Sequence, residues 1–116
     1  MKRDGKEPED LGGRTKRYAL SIIQRFTALP KNEVTRILGR QFLRSGTSIG
    51  AHYREASRSR SDAEFISKLE VALQELEETV CWLDLLVESG QQASSEITAL
   101  ISESNELIAI ITTIVR

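Results

Sequence analysis

The sequence predicts an all-α fold, an up-down-up-down antiparallel four-helix bundle. Three observations lead there. Apolar residues recur at spacings of three and four through four successive segments, and no two-residue alternation or hairpin turn competes with them. The breaks between segments are short and carry helix stop and start signals, which makes sequence neighbours antiparallel. The chain has 116 residues, of which 40% are apolar and 5% aromatic, so one domain with a core of Leu, Ile, Val and Ala is expected.

Residues 1–13 are charged, contain Gly and Pro and lack periodicity, and read as a mobile N-terminal tail; the bundle domain is expected over 14–116. The first helix is predicted from Arg14 to about Ala28, with Tyr18, Ile22, Phe26 and Leu29 on its apolar face and Pro30 as its stop. Asn32 is a good N-cap for the second helix, which runs to about Ala56 and buries Val34, Leu38, Phe42, Ile49 and Tyr53. Ser61-Asp-Ala-Glu64 is a capping box that opens the third helix, Asp62 to Glu88, with Phe65, Leu69, Leu76 and Leu83 along its stripe and Val80 and Val87 beside it. Gly90 suits the left-handed residue beyond a helix end. The fourth helix is capped by Ser94 or Ser95 and shows a wide apolar face from Ile97 to Val115.

Composition narrows the function classes. A single cysteine rules out an intrachain disulfide framework and fits a reducing cytoplasm. No continuous apolar run approaches the roughly 18 residues of a membrane span, and the N-terminus has no apolar signal core, so no membrane partner is expected. Net charge is −1, which speaks against indiscriminate nucleic-acid binding, but the charge is divided. Residues 1–60 hold 14 Lys/Arg against 6 Asp/Glu, and residues 61–116 hold 2 against 11. Two faces of opposite sign follow, to be satisfied within the subunit, between subunits or by an outside partner.

The stretch from Gln41 to Ser61, QFLRSGTSIGAHYREASRSRS, concentrates the question. Gly46 and Gly50 stack on one side of a helix, at about 1 kcal/mol each relative to alanine. Close approach of a neighbouring helix offsets that, within or between subunits, and both glycines are candidate oligomer contacts, with Ser45, Ser48 and Ala51 extending the zone. A phosphate cradle is disfavoured because no strand precedes GTSIG and no Gly-Lys-Ser/Thr follows; a kink at Gly46 is the third option. Arg36, Arg40, Arg44, Arg54 and Arg58 fall on one stripe, opposite Leu38 and Ile49. On helix three Glu70, Glu77, Asp84 and Glu88 form an acidic stripe. The pairing expected is between subunits, with solvated faces or an RNA or DNA partner as the alternatives; stacking aromatics are missing from the arginine stripe. Trp82 stands off the main core face and is a candidate oligomer contact.

No catalytic, cofactor or metal constellation is apparent, and no small-molecule substrate suggests itself. His52 and Cys81 are the sole residues of their types, and a nucleophile pair would require them to meet in space. Glu55, Glu75 and Glu78 could place carboxylates within the bundle, but the Glu-x-x-His motif of di-iron bundles does not occur. Glu55 and Glu75 are expected to pair with arginines such as Arg44 or Arg54.

The segments RTKRYAL (14–20), LPKNE (29–33), GRQFLRSGTSIGAHYREASRSRS (39–61), AEFISKL (63–69) and ETVCWLDLLVESG (78–90) together resemble the four helix bundle protein family, whose members are encoded in intervening sequences of some bacterial 23S rRNA genes or stand alone. The resemblance covers roughly residues 11–90. It implies a small bundle without enzymatic activity that assembles into ring-shaped homopentamers. A distant relative, the accessory protein of diversity-generating retroelements, binds nucleic acid and a reverse transcriptase and is strongly basic, which this chain is not. His52 stands where the family usually has Asn, and Cys81 where it usually has an aromatic. The function expected is that of a noncatalytic, self-assembling adaptor; the alternative is an RNA- or DNA-binding accessory protein that uses the arginine stripe.

Overall fold

A computed structural model describes residues 10–91 and 95–116. They form four helices: α1 (Leu11–Thr27), α2 (Glu33–Ser57), α3 (Asp62–Glu88) and α4 (Ser95–Val115). Each helix packs on its sequence neighbours, and α1 closes on α4, so the helices stand in a square in chain order. The face made by α1 and α2 therefore lies opposite the face made by α3 and α4.

The helix ends follow local chemistry. α1 starts at Leu11, three residues earlier than the periodicity indicates, because the Asp10 carboxylate accepts from the Gly12 N–H at 3.0 Å and Leu11 is buried. A charged cap and a buried leucine outweigh two first-turn glycines. At α2 the Asn32 side chain accepts from the Thr35 N–H at 3.0 Å, while the Thr35 hydroxyl oxygen accepts from the Asn32 N–H at 3.1 Å. At α3 the Ser61 hydroxyl accepts from the Glu64 N–H at 3.1 Å, and the Glu64 carboxylate reaches back to the Arg60 N–H rather than to that of Ser61. Gly90 has φ +79°. Its N–H donates to Val87 O, and Gln91 N–H donates to Leu86 O, closing α3 as a Schellman motif. Ser95 is the first residue of α4; Ser94, the other predicted cap, and most of the predicted tail lie outside the described residues.

Tyr18, Ile22, Phe42, Ile49, Leu69, Leu76, Leu83, Leu86, Ile97, Leu107 and Ile111 fill the core. Val34, predicted to be buried, is 42% exposed, and Thr35 takes the inward position instead. The cap turns Thr35 inward, where its hydroxyl bonds the Pro30 carbonyl; one residue of offset rotates Val34 out by about 100°. α4 is long and apolar enough on average to cross a membrane, although its longest unbroken apolar run is short. In the bundle its apolar side faces α1 and α3.

The glycines of α2 are filled from within the chain. A Cβ on Gly46 would stand 2.6 Å from Ile22 Cδ1 and 2.7 Å from its Cγ1, one on Gly39 would stand 3.0 Å from the Phe26 ring, and one on Gly50 would stand 3.2 Å from Thr15 Oγ1. α1 thus lies in a trough along α2, and Gly46 is buried. The small size of Gly46 and Gly50 thus serves the α1–α2 packing within the subunit, one of the two kinds of close approach expected for them. α2 runs unbroken through both positions, so Gly46 does not split it.

One hydroxyl from each helix meets in the interior. The Ser104 hydroxyl donates to Leu100 O at 2.8 Å, so its oxygen accepts from the Tyr18 O–H, 2.6 Å away. By the same logic Thr79 donates to Glu75 O at 2.8 Å and accepts from Ser45 at 2.7 Å. Thr79 is also near enough to the Tyr18 phenol to act on its ionisation. All four residues are buried. Burial pushes the Tyr18 phenol up from 10.0 to about 12. The folded state therefore favours the neutral phenol, and this stabilisation is complete below pH 10 and is lost as pH rises from 10 towards 12. We expect wild-type stability to fall by about 3 kcal/mol more than that of Tyr18→Phe over that window, measured as urea midpoints against pH. Parallel curves would contradict it.

Candidate interaction surface

The five arginines of the α2 stripe have different fates, decided by small differences of helix phase. Arg44 leans towards α3 and pairs with Glu75 at 3.6 Å and Glu78 at 3.4 Å. This bears out the expected pairing of Glu75 with Arg44. Glu55 instead meets Lys68 at 3.5 Å and not Arg54. Arg36 pairs with Glu33, one turn back on its own helix. Arg40, Arg54 and Arg58 are exposed and have no acidic partner among the described residues. Arg58 is the C-cap of α2 and extends the stripe past the last turn.

On α3, Glu70, Glu77, Asp84 and Glu88 are exposed and have no basic partner among the described residues. They lie within about 40° of one another in helix phase, on the side of α3 towards α4. The outward face of α4 continues this surface without charge through Thr98, Ser102, Asn105, Ala109 and Thr113, all exposed.

Sequence periodicity missed the apolar part of the basic face. Leu20 and Ile23 of α1 are 51% and 43% exposed. With Lys16 they span about 60° of helix phase and point away from the core. The signal available was negative: neither residue fits the Tyr18–Ile22 register. A second exposed pair, Ile37 and Leu85, sits where the start of α2 lies beside the end of α3. Next to it Trp82 is half-buried against the chain's own core, and its indole N–H is buried with no acceptor among the described residues.

The α1–α4 seam is closed by charge. Arg14 donates from Nε and Nη2 to the two carboxylate oxygens of Glu103 at 2.7 and 2.9 Å, and from Nη2 to Glu106 at 2.5 Å. This bidentate contact is part-buried, which makes it stronger than an exposed pair. Arg25 and Glu96 repeat the pairing at 4.0 Å.

His52 and Cys81 do not meet. His52 Nε2 stands 3.7 Å from Glu75 Oε2 in the α2–α3 seam. Cys81 is exposed, about 9 Å further along α3 than Glu75 and turned from it by about 120°. No group of three or more metal-ligating side chains occurs among the described residues. What this surface can do is electrostatic and geometric: present guanidiniums on one side of the bundle and carboxylates on the other.

No curated protein matches the chain. Among solved structures, it is similar to a protein of unknown function from the S23 ribosomal protein family of Bacteroides thetaiotaomicron VPI-5482. The two are 31% identical over 92% of this chain and 99% of that one, with a TM-score of 0.84. The family model described as 23S rRNA-intervening sequence protein matches residues 13–113. With four helices in the same arrangement and a match over nearly its whole length, the chain belongs to the 23S rRNA-intervening sequence protein family.

Proposed function

We propose that the chain is a noncatalytic, self-assembling bundle that acts in the cytoplasm as an adaptor, offering an oligomeric surface to a macromolecular partner. One observation carries this reading. Arg40, Arg54 and Arg58 on one side of the bundle, and Glu70, Glu77, Asp84 and Glu88 on the other, are exposed and unpaired among the described residues. A small protein with both signs held apart has in a second copy of itself the partner that answers both. Five copies is the number favoured by the family resemblance. The reading is noncatalytic because the one histidine is set against Glu75 and the one cysteine stands apart from it.

A nucleic-acid role is the second reading, favoured by the same three free guanidiniums, which would neutralise phosphates. Stacking aromatics would strengthen it, but Tyr53 is half-buried against the core. Size-exclusion chromatography with light scattering and absorbance at 260 and 280 nm, on protein purified without nuclease, separates the two. A mass of several chains with a protein spectrum supports self-assembly. Co-eluting 260 nm material that leaves at high salt supports nucleic-acid binding.

A further inference from the structure

We infer that the outer groove between α2 and α3 is a docking site for a basic amphipathic helix of another protein. The inference rests on the adaptor reading, for which it names the partner's chemistry, and does not depend on how many copies assemble. Two series spaced by seven carry it. On α2, Ile37, Arg44 and Ala51 drift by only about 20° of helix phase per step, and on α3 Val71, Glu78 and Leu85 do the same. The two helices are antiparallel, and the middle members, Arg44 and Glu78, meet at 3.4 Å. Ile37 therefore stands level with Leu85 at one end of the groove, and Ala51 level with Val71 at the other. Ile37, Leu85 and Val71 are 51%, 44% and 40% exposed. The groove thus presents an apolar, an ionic and an apolar rung, about 10 Å apart.

A repeat of seven is the one with which a helix meets a neighbour along a shared seam. A helix laid in the groove would bring aliphatic side chains to the two apolar rungs from positions about four turns apart. The residue midway between them would face the ionic rung. There Arg44 answers two carboxylates, Glu75 at 3.6 Å and Glu78 at 3.4 Å, so one negative charge is left over while His52 is neutral. Glu75 Oε1 is buried and has no donor among the described residues. At the two ends the Glu33–Arg36 and Glu55–Lys68 pairs cancel. The surplus selects a lysine or arginine at the partner's midpoint and disfavours a nucleic acid in this groove. Trp82 stands beside Leu85 on the side towards α2. No hydrogen bond among the described residues fixes its indole, so the ring can turn to meet a docked side chain. A tryptophan so placed is the kind of residue that carries binding energy out of proportion to its area.

Trp82 is the chain's sole tryptophan, so its fluorescence reports on this groove. The probe is a tryptophan-free helical peptide of about 18 residues, about 27 Å long, with leucine along one face and lysine elsewhere. The same peptide with glutamate in place of lysine is its control. We expect the lysine peptide to shift Trp82 emission to shorter wavelength and to saturate, and the glutamate peptide to leave it unmoved. Ile37→Ser with Leu85→Ser should weaken the lysine peptide about tenfold or more, whereas Leu20→Ser with Ile23→Ser on α1 should leave its affinity unchanged. All four side chains are exposed, and a cooperative helical melt by circular dichroism qualifies each protein. The inference is overturned if the lysine peptide leaves Trp82 unmoved, or if the glutamate peptide binds as well. It is also overturned if the Ile37/Leu85 variant binds the lysine peptide as the wild type does, which would place the peptide on the Glu70–Glu77–Asp84 stripe. Quenching of Trp82 by a polyuridine RNA would overturn it in favour of nucleic acid. A lower mass for the Ile37/Leu85 variant than for the wild type by light scattering would mean that a second copy covers the groove, and the inference would fall while self-assembly stands. A monomeric wild type that binds the lysine peptide with the expected shift would sink self-assembly and support the docking groove.

Discussion

Gly46→Val should cost about 3 kcal/mol of stability. Even the first added carbon would lie 2.6 Å from Ile22 Cδ1 and 2.7 Å from its Cγ1. Ile22 is fully buried, so it cannot swing into solvent to make room. Overpacking of this kind typically costs about 1–3 kcal/mol, and the two γ-methyls of valine push the value to the top of that range. The better helix propensity of valine over glycine returns only a few tenths of a kcal/mol. Trimming Ile22 to Ala alone costs about 2–5 kcal/mol through the cavity it leaves. In the double variant the valine occupies part of that space, so the combined loss should fall short of the sum by at least about 1 kcal/mol. Urea denaturation of the four proteins gives the cycle. A Gly46→Val protein as stable as wild type, or strict additivity, would mean that α1 does not lie in the α2 trough.

The second large effect should come from Thr79→Val, a change of shape so small that loss of the hydroxyl dominates. Thr79 accepts from Ser45 and donates to Glu75 O. Valine leaves the Ser45 hydroxyl buried without its acceptor, a loss of about 2 kcal/mol. Ser45→Ala in the same chain removes the stranded donor, so the double variant should be more stable than Thr79→Val alone. If Ser45→Ala instead lowers stability further by its full single-variant amount, the hydroxyl pair is not a unit. Such layers weigh less in total stability than in register: a buried polar contact is satisfied in one helix alignment and stranded in others.

Much of the fold was legible because each segment agrees with itself at every level. Asn32, Ser61 and Gly90 mark ends, and the periodic apolar positions between them share one face. The errors have local causes. Periodicity alone placed the start of α1 at Arg14, since Gly12 and Gly13 argue against helix; the Asp10 cap and the burial of Leu11 act on single residues and leave no periodic trace. Val34 and Thr35 were exchanged because hydrophobicity outranked a threonine whose hydroxyl is satisfied by Pro30. The hydroxyl layer was invisible for the same reason: Ser45, Thr79 and Ser104 look polar singly and become core residues only when the other three helices supply partners. Gly46 announced a close approach but not the identity of the approaching helix, which depends on tertiary arrangement. Helix phase alone groups the five arginines of the stripe, four on α2 and Arg58 at its C-cap. Which members are free was not readable, because the 40° between Arg40 and Arg44 decides whether a guanidinium reaches α3.

The seam between α1 and α4 shows how the charge division is used twice. Arg14 and Arg25 from the basic half already meet Glu103, Glu106 and Glu96 from the acidic half inside one subunit. Opposite signs in the two halves of the chain thus close the bundle first. The residues left over, on α2 and on α3, are those on which the proposed self-assembly rests.

That central claim is met most directly by sedimentation velocity on nuclease-treated protein over a range of concentrations at low and at high salt. The account predicts a single species of several chains at low salt, moving towards the monomer as salt screens the contacts. A monomer at every concentration and at both salt levels would contradict it.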